Sequence, residues 1–409
     1  MSTAETTALD TRRRAPLAGG QRLFVAGGQA GLAAHLAAYG PLPASGPGAG
    51  LAHELELSGL TGRGGAGFPV ARKLAATAAG RRPVIIGNGA EGEPRSQKDA
   101  TLLQHAPHLV IDGLLAAGGA LAADQVYLYL RPDSAAPVQR ALAERPDGAR
   151  VQVVLAVHTF VSGEASAVVN AVEHSIALPT DRTRRLSETG LRGRPTLVQN
   201  VETLAHVALV ARYGGDWFRG AGTPGDPGTR LVTVSGHVPA GGVLEVGGGV
   251  RVTDVLAACH ADPAQVSAVL VGGYHGQWLP AAELGAALSP SGGATPGAGV
   301  IVVLDRGHCG LRTTAEFVRY LADQSAGQCG PCLFGLPALA GAFDLLAAGH
   351  PPAGTADRIR RLATTVAGRG ACHHPDGTSR LVLSALDVFA DDAAAHAVGR
   401  CTVDLENQL

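Results

Sequence analysis

Lysine occupies only two positions of this 409-residue chain, Lys73 and Lys98, although Lys and Arg together number 33. Each follows a glycine-rich segment: Gly59–Pro69 precedes Lys73, and Asn88–Pro94 precedes Lys98. A lysine ammonium is a compact, rotatable donor, whereas arginine offers a planar fork. Where all other cationic side chains except histidine are arginine, these two lysines predict contacts with a phosphorylated cofactor. The alternative is two surface lysines without a role.

The first glycine-rich segment contains Gly62-Arg-Gly-Gly-Ala-Gly67, which matches the G-x-G-x-x-G pattern. In a dinucleotide-binding unit this pattern follows a strand directly and opens a helix. Here the preceding residues, 51–57, have a helical pattern, and the first convincing strand comes later, so the ordinary fingerprint is not fulfilled. Closely spaced glycines still let backbone N–H groups turn toward an anion. With Phe68-Pro69 and Lys73 at its end, the segment predicts an anion cradle; the alternative is a flexible turn.

Cys329-Gly-Pro-Cys332 is the second group of residues with chemical potential. As a redox pair it would need a βαβ setting and a lowered thiol pKa, whereas the surrounding pattern is helical. As half of a zinc site it would need further ligands, which Cys372-His-His374 could supply. The six cysteines are sparse, as in proteins of a reducing compartment. Cys259 and Cys401 are expected to be ordinary small apolar residues.

The elements that position these residues alternate between strands and helices in the first half of the chain. Strands are predicted at Val84–Ile86, Gln125–Leu130 and Val151–Val157, and helices at Gln29–Ala38, Leu102–Ala122, Ala135–Glu144 and Glu164–His174. Such alternation predicts an α/β fold, in which a mostly parallel sheet is covered by helices on both faces.

A Gly- and Pro-rich break at Gly220–Gly228 separates this part from a different pattern. Four short strands (Arg230–Ser235, Gly242–Val246, Ala268–Val271, Val300–Val303) and one helix (Thr253–Ala258) predict a small mixed sheet. After Asp305, four helical segments near Thr313–Gln324, Leu336–Leu346, Ala356–Val366 and Ser379–His396 predict a helical bundle.

The bulk properties exclude several classes of protein. A net charge of −1 and a pI of about 6.9 provide no global field for nucleic acid or an anionic membrane. The longest apolar stretch, Leu109–Ala123, is interrupted by Asp112 and is too short to span a bilayer. Residues 1–20 are polar and lack the apolar core of a secretory signal. We therefore expect a cytoplasmic protein that binds neither nucleic acid nor membrane.

Five segments in order resemble the motifs of the FMN-carrying, NADH-oxidising subunit of respiratory complex I, a module shared with NAD-dependent formate dehydrogenases and hydrogenases. They are Gly59–Lys73, Asn88–Asp99, Val161–Glu173, Pro195–Thr203 and Ser325–Cys332. The resemblance extends from about Leu51 to Cys372. It implies an N-terminal segment (1–50), a Rossmann-like FMN/NADH domain (51–222), a ubiquitin-like β-grasp domain of the SLBB type (223–304) and a four-helix, iron–sulfur-binding bundle (305–409).

The same resemblance implies the residues of a flavin and nicotinamide pocket. The glycine loop and Lys73 would hold the FMN phosphate and ribityl chain, Glu93 would lie beside the nicotinamide ribose, and Phe68 would lie near the adenine. No residue is expected to act as an acid or base. The implied cofactor-binding residues are Gly62, Arg63, Gly64, Gly65, Gly67, Phe68, Lys73, Asn88, Glu91, Glu93, Gly163, Glu164, Gln199, Asn200 and Thr203.

The chain departs from the family at four positions that bear on chemistry. Gln199 replaces the first asparagine of the family's Asn-Asn pair. Ala90 and Ala165 replace carboxylates near the flavin and nicotinamide sites, and Ala326 replaces the first ligand of the family's four-iron cluster. The resemblance leaves Cys329, Cys332 and Cys372 as cluster ligands, with His373, His374 or Cys309 as candidate substitutes for the fourth.

Two functions are therefore compatible with the sequence. The first is an NADH oxidoreductase component that accepts a hydride at FMN and passes single electrons to a ferredoxin-like or other iron–sulfur protein. The second is a degenerate family member that acts as a binding or assembly subunit without redox turnover. The three alanines favour the second, whereas the glycine loop, Lys73, Asn88 and Glu93 favour the first.

Overall fold

The computed structural model of the chain describes residues 21–43, 49–181 and 183–403. The predicted N-terminal segment, 1–50, therefore lies partly outside the described residues. The first twenty residues, in which no secretory signal is expected, lie wholly outside them. Across the described ranges the chain is a mixture of helices and two main sheets, and the α/β class predicted from the sequence is confirmed.

The first part of the structure is built around a parallel sheet of four strands in the order β3-β2-β1-β4. Alternate residues of β1 enter different cores: Ile85 packs with the α5 and α8 side, and Val84 and Ile86 pack with the α7 side. Both faces of the sheet are thus covered, as predicted. The elements are α1 (Leu32–Tyr39), α2 (Ala49–Ser58), α3 (Val70–Ala78), β1 (Val84–Gly89), α4 (Lys98–His105), α5 (Pro107–Ala120), β2 (Gln125–Leu130), α6 (Pro132–Ala143), β3 (Val151–Leu155), α7 (Ala165–His174), β4 (Thr196–Asn200) and α8 (Val201–Arg219).

Two features of this part differ from the sequence prediction. The single helix expected over Leu102–Ala122 is two helices, α4 and α5, which meet at Ala106-Pro107. Proline lacks a backbone N–H and disfavours a helical conformation in the residue before it, so the chain turns there. The sequence pattern also does not predict strand β4 and helix α8, although β4 completes the sheet beside β1.

The second part is a five-stranded mixed sheet in the order β10-β9-β13-β7-β8, with β13 and β7 parallel and the other pairs antiparallel. One helix, α9, packs with it in a separate apolar core. The small mixed sheet with one helix is confirmed. Its elements are β5 (Gly222–Thr223), β6 (Asp226–Pro227), β7 (Thr229–Gly236), β8 (Gly242–Gly247), α9 (Val252–Ala258), β9 (Val266–Val271), β10 (Gln277–Pro280), β11 (Ala287–Leu288), β12 (Gly293–Ala294) and β13 (Val300–Asp305).

The third part is helical and packs against the other face of the second sheet, where Leu270 and Trp278 join its core. It contains α10 (Gly310–Asp323), a π-helical turn at Pro331–Gly335, α11 (Leu336–Ala347), α12 (Thr355–Val366), α13 (His374–Val388) and α14 (Ala390–Ala397).

The expected fourth helix, Ser379–His396, is wrong in its continuity because the chain leaves the helical conformation at Phe389. The buried Phe389 ring packs on Trp278, with ring centroids 5.2 Å apart, and against Gly310. This tertiary contact coincides with the break between α13 and α14. No helix within the described ranges is both long and apolar enough to cross a membrane.

Candidate functional site

The candidate site lies where the direction of strand addition reverses in the parallel sheet. The chain adds β2 and β3 on one side of β1 and then β4 on the other, so the switch point lies between β1 and β4. We call the space outside the carboxyl ends of these two strands the crevice. In open α/β sheets this switch point is where ligands bind. Asn88 is the next-to-last residue of β1, and Asn200 is the last residue of β4. The two residues lie opposite each other in the register of the sheet.

Both asparagines hold the backbone around this crevice. Asn88 Nδ2 donates to the carbonyl of Gly163 at 2.9 Å. Asn200 caps α8, since its Oδ1 accepts from the Glu202 N–H at 3.0 Å, and its Nδ2 donates to Asp99 at 2.7 Å. Three predicted site residues, Asn88, Gly163 and Asn200, are therefore brought together at one end of the sheet. The amino end of α8 also points to this crevice, where a helix favours an anion.

The glycine loop is a closed loop with an exposed tip. The Gly62 N–H donates to the Phe68 carbonyl at 2.9 Å, and Thr61 and Pro69 form an antiparallel bridge at its neck. Gly65 and Gly67 have φ values of 112° and 62°, which side chains other than glycine rarely adopt. Residues 64–68 are exposed. The loop thus presents its backbone to solvent in a fixed shape.

Two contacts dock this loop onto the start of α8. The Arg63 N–H donates to the buried hydroxyl of Thr203 at 2.8 Å. A Cβ at Gly64 would lie 3.1 Å from the Cβ of Asn200, tighter than nine in ten real contacts of this kind. The predicted residues Gly62 to Gly67, Asn200 and Thr203 accordingly form one structure around the crevice.

The Arg63 side chain points into the protein. It is buried, donates to the Thr61 hydroxyl at 3.2 Å and to the Pro227 carbonyl at 3.1 Å, and lies 3.9 Å from Asp226. Burial, together with the charge of Arg230, lowers its pKa to about 10. Arg63 therefore ties the glycine loop to the second sheet through its side chain and takes part in the site through its backbone.

Lys73 lies in the first turns of α3, directly after the glycine loop. Its ammonium donates to the carbonyl of Val198 in β4 at 2.5 Å. Burial lowers the pKa of this ammonium to about 8, and the charge of Glu164 acts in the opposite direction. Burial disfavours the charged form of the Lys73 side chain, and a nearby anion would stabilise it. The Lys73 ammonium is therefore suited to bind an anion.

Lys98 does not share this role. The sequence predicts a cofactor contact for both lysines, and for Lys98 this prediction is wrong. Its ammonium is buried and pairs with Asp99 at 2.6 Å and with Glu202 at 2.9 Å. Burial alone would lower the pKa of Lys98, but the two carboxylates outweigh it and raise the pKa above its ordinary value. Lys98 is a structural cation that joins α4 to α8.

Two predicted acidic site residues cap helices. Glu91, with a φ of 42°, accepts hydrogen bonds from the Ser96 hydroxyl at 2.7 Å and from the N–H groups of Asp99 (2.9 Å) and Ala100 (3.0 Å) at the start of α4. Burial, then Asp99, raises the pKa of Glu91. Glu164 caps α7 by accepting from the Ser166 N–H at 2.8 Å. Both carboxylates hold the crevice walls; their contact with a flavin stays a prediction.

Glu93 is a site carboxylate that can still accept a hydrogen bond. Its Oε2 accepts from the Tyr274 N–H at 2.9 Å, while its buried Oε1 has no hydrogen-bond partner among the described residues. Burial raises the pKa of this carboxyl to about 7. A buried oxygen without a partner is costly and is matched by a ligand that brings a donor. Phe68, at the neck of the glycine loop, is 53% exposed and could cover a ligand.

Gln199 is buried in β4 opposite Gly87, which makes it part of the sheet. Sequence reasoning did not identify Asp99, Glu202 or Tyr274, whose contacts with Asn200, Lys98 and Glu93 support the site. The acidic residue directly after Lys98 was a local signal for the first of these. Glu202 lies within the Pro195–Thr203 motif, between the predicted residues Asn200 and Thr203, which was a local signal for it. Nothing local marks Tyr274.

The three cysteines predicted as metal ligands all lie in the helical part, and Cys332 interacts with the other two. Cys329 and Cys332 flank the start of the π-helical turn, and burial, followed by the neighbouring thiols of Cys329 and Cys372, raises the pKa of Cys332 to about 11. Cys332 and Cys372 are buried, and Cys329 is half-buried. Thiols of this number and burial suit an iron–sulfur cluster, and the assignment of Cys329, Cys332 and Cys372 as its ligands stays a prediction.

The candidate substitutes for a fourth ligand are placed differently. His374 is buried, and both ring nitrogens are engaged: Nε2 with the Leu321 carbonyl at 2.7 Å and Nδ1 with His275 at 3.1 Å. His373 is bonded to Asp376 at 2.9 Å. Cys309 contacts His396 instead. These contacts leave the fourth ligand unassigned among the described residues.

Comparison with known proteins supports both halves of this site. Residues 55–209 match the family model of the Nuo51 FMN-binding domain, and residues 312–396 match that of the NADH-ubiquinone oxidoreductase-F iron–sulfur binding region. The chain is 29% identical to the F 2 subunit of the NADH-quinone oxidoreductase of Rhizobium meliloti over 364 residues, 83% of this chain and 86% of that protein. It is 27% identical to the HndC subunit of the NADP-reducing hydrogenase of Solidesulfovibrio fructosivorans, over 84% of this chain and 75% of that protein.

Among solved structures, the chain is similar to a chain of NAD+-reducing [NiFe]-hydrogenase. In the H2-reduced state the TM-score is 0.78 at 31% identity, covering 85% of this chain and 62% of that chain. In the air-oxidised state the TM-score is also 0.78, at 30% identity, covering 87% and 65%. The chain thus spans less than two thirds of the hydrogenase chains.

Proposed function

We propose a function from the premise that the chain belongs to the complex I family of FMN- and iron–sulfur-binding NADH oxidoreductase subunits. The protein takes electrons from NADH at FMN and passes them singly to a partner protein. The observation that carries the proposal is the meeting of the glycine loop, Asn88, Asn200 and Lys73 at the switch point of the sheet. Backbone donors, a helix amino end and a lysine in one crevice suit a phosphorylated cofactor.

The finer domain assignment is part of this proposal. The parallel sheet with helices on both faces supports a Rossmann-like domain over 51–222, and the five-stranded mixed sheet with α9 supports a ubiquitin-like domain over 223–304. The helices after Asp305 support a bundle that holds the cysteines. Glu93 accepts from the Tyr274 N–H, so the first and second units meet at the carboxylate that we assign to the nicotinamide nucleotide.

The chain's own residues fit FMN at the phosphate end. The exposed backbone of Gly64 to Gly67 and the Lys73 ammonium would hold the phosphate, which is a dianion at neutral pH. Asn88, Gly163 and Thr203 would set the walls of the flavin pocket. A bound flavin supplies the conversion of a two-electron donation into one-electron steps. The protein contributes position and electrostatics, and no side chain is assigned as a base.

Glu93 and Phe68 are assigned to the nicotinamide nucleotide. The unpartnered, buried Oε1 of Glu93 would accept a ribose hydroxyl, and this bond is strongest when the carboxylate is ionised. Its raised pKa of about 7 places that ionisation in the neutral range. The exposed ring of Phe68 would cover the adenine. NADH is the expected donor, since a curated relative is named an NADH-quinone oxidoreductase subunit and a similar solved structure an NAD+-reducing hydrogenase. NADPH is the alternative, because another relative is a subunit of an NADP-reducing hydrogenase.

Electrons would leave through the three-cysteine site. Cys329, Cys332 and Cys372 would hold three corners of an iron–sulfur cluster, and Ala326 leaves the fourth corner without a thiolate. Beside Cys332, Leu333 and Phe334 are 52% and 75% exposed. An exposed apolar pair next to a redox centre suits a docking partner such as a ferredoxin-like iron–sulfur protein.

Anaerobic purification, or reconstitution with FMN, iron and sulfide, followed by mixing with NADH, tests the proposal. We expect flavin and broad cluster absorbance, both bleached by NADH and restored by a one-electron acceptor. A colourless protein after reconstitution would instead support the alternative of a binding or assembly subunit. A protein that binds FMN but is not reduced by NADH or NADPH would contradict the oxidoreductase assignment.

A further inference from the structure

A second group of potential metal ligands lies outside the site described above. Cys309, His396 and Cys401 are all buried, and one ligand atom of each lies within 4.8 Å of the other two. Cys309 is the residue directly before α10, His396 lies near the end of α14, and Cys401 follows that helix. The two cysteines fall outside residues 312–396, which the iron–sulfur family model matches.

The distances agree with tetrahedral coordination. Cys309 Sγ lies 3.6 Å from His396 Nε2. Zinc bonds of about 2.3 Å to sulfur and about 2.05 Å to nitrogen, at a tetrahedral angle, place those two atoms about 3.6 Å apart. Cys401 Sγ lies within the same small cluster, and its thiol interacts with that of Cys309.

The histidine is oriented as metal-binding histidines are. His396 Nδ1 lies 2.9 Å from the carbonyl of Leu346 in α11, and a carbonyl can only accept, so Nδ1 carries the proton. Nε2 then has its lone pair toward Cys309. A backbone carbonyl that fixes the tautomer and ring orientation is the usual outer contact of a metal-ligating histidine.

Charge balance also favours a divalent ion. Two thiolates neutralise one zinc ion, so the occupied site carries no net charge in its buried setting. Binding releases two protons, one from each thiol, as two sulfur–zinc bonds form. Burial, and then Cys401, raises the pKa of Cys309 to about 11, so without a cation the Cys309 thiol stays protonated.

We propose that Cys309, His396 and Cys401 form a zinc site that ties the end of the helical part to its beginning. Cys309 and His396 are 87 positions apart in the sequence, and the ion would link the start of α10 to α14 and the segment after it. Three protein ligands leave one coordination position for water. The site is independent of the proposed function, since it uses none of the flavin or cluster residues.

The test is metal analysis and zinc X-ray absorption of the holoprotein purified from zinc-supplemented medium. We expect about one zinc per chain, bound by two sulfur atoms and two nitrogen or oxygen atoms. A site built from the cluster cysteines would show three sulfurs. A protein without zinc, zinc with three or more sulfurs, or a Cys309–Cys401 disulfide in mass spectrometry would overturn the proposal.

Variants assign the site without relying on one substitution. Cys309→Ser, Cys401→Ser and His396→Asn should each lose at least about 80% of the zinc, and the asparagine amide keeps a donor for the Leu346 carbonyl. Cys259→Ser, in the core of the second sheet, and the pair Cys329→Ser with Cys372→Ser should keep the zinc.

A second cluster, of His237, Asp305 and His308, lies at the surface and could bind zinc adventitiously, so H237A/H308A should also keep the zinc. Zinc that is lost in H237A/H308A but kept in His396→Asn would overturn the assignment. Should a variant fail to fold, the wild-type sulfur count still decides.

Discussion

Glu93 Oε2 accepts a 2.9 Å hydrogen bond from the backbone N–H of Tyr274, a residue 181 positions away in the loop between β9 and β10. This bond fixes one carboxylate oxygen and brings the second sheet to the edge of the crevice. The other oxygen, Oε1, is buried and has no hydrogen-bond partner among the described residues. One carboxylate thus both joins two units and offers an acceptor toward the proposed nicotinamide position.

Glu93→Gln should keep FMN bound but slow its reduction by NADH about ten- to hundredfold, the loss expected for a hydrogen bond to a charged acceptor. The glutamine carbonyl can still accept from Tyr274, so the loop should stay in place. Anaerobic stopped-flow measurement of flavin bleaching checks this.

The exposed Glu283→Gln is the matched control and should leave the rate unchanged. Because burial raises the pKa of Glu93 to about 7, the carboxylate forms as the pH rises through 7. The wild-type rate should therefore increase across this range, and the glutamine variant should lack that increase. Equal rates and pH profiles for wild type and variant would remove Glu93 from the nicotinamide site.

Lys73→Ala should weaken FMN binding by at least about 30-fold, since removing one partner of a desolvated charge pair costs about 2 kcal/mol or more. The measurement is a fluorescence titration of FMN into flavin-free protein. Arg72→Ala, an exposed neighbour on the same helix, is the control and should change affinity little. Stoichiometric FMN retained by Lys73→Ala through gel filtration would contradict the phosphate assignment.

FMN affinity should fall as the pH rises above about 8. Burial lowers the pKa of the free Lys73 ammonium to about 8, whereas a bound phosphate raises it, so binding above pH 8 requires proton uptake. The dissociation constant should increase up to about tenfold per pH unit in this range. An arginine stays charged there, so Lys73→Arg should bind with little dependence on pH between about 8 and 10. An affinity that is flat in the wild-type protein would exclude Lys73 from the binding equilibrium.

Ala326→Cys should raise the iron content from about three toward about four per chain and slow oxidative loss of the cluster. A cubane with three thiolates has one exposed iron, and we expect the wild-type protein to tend toward a three-iron form in air. Anaerobic iron and sulfide analysis with EPR before and after oxygen exposure is the measurement. Ser325→Cys, one position out of the ligand spacing, should leave iron content unchanged; a gain equal to that of Ala326→Cys would show that the spacing is not responsible.

Asp112→Asn should destabilise the protein by about 3–5 kcal/mol, because it leaves buried cations without a counter-charge. Asp112 contacts His35, Arg145 and Arg212, and each contact joins a different helix or loop to α5. Burial opposes its ionisation, but the hydrogen bond from His35 and the two guanidinium groups hold its pKa well below the ordinary value. Denaturant unfolding measures the effect.

The matched control for this substitution is Asp133→Asn, whose exposed carboxylate lies 3.3 Å from Arg131 and should change stability by less than about 1 kcal/mol. Because the folded pKa of Asp112 is depressed, its contribution is present above the unfolded carboxyl pKa and is lost as the pH falls from there through the folded pKa. Equal effects of the two substitutions would show that the buried network contributes no more than a surface pair.

Features formed within a few neighbouring residues could be predicted from the sequence. The glycine loop depends on glycines at successive positions, and Gly65 and Gly67 have the positive φ values that such a run permits. The α/β class follows from periodicity, and Cys329 and Cys332 lie in one turn. The family and its two cofactor-binding regions also follow from ordered local motifs.

Only the tertiary structure decided what each buried polar group contacts. Lys73 and Lys98 have similar glycine-rich neighbours, yet Lys98 is neutralised by Glu202, 104 positions along the chain, and Lys73 is left beside the crevice. Arg63 points to Pro227, and Cys401, expected to be an ordinary apolar residue, lies beside Cys309 and His396. Burial makes an unpaired polar group costly wherever it lies, so its partner is chosen by packing in space. The spacing of residues along the sequence therefore does not predict which partner a buried polar group contacts.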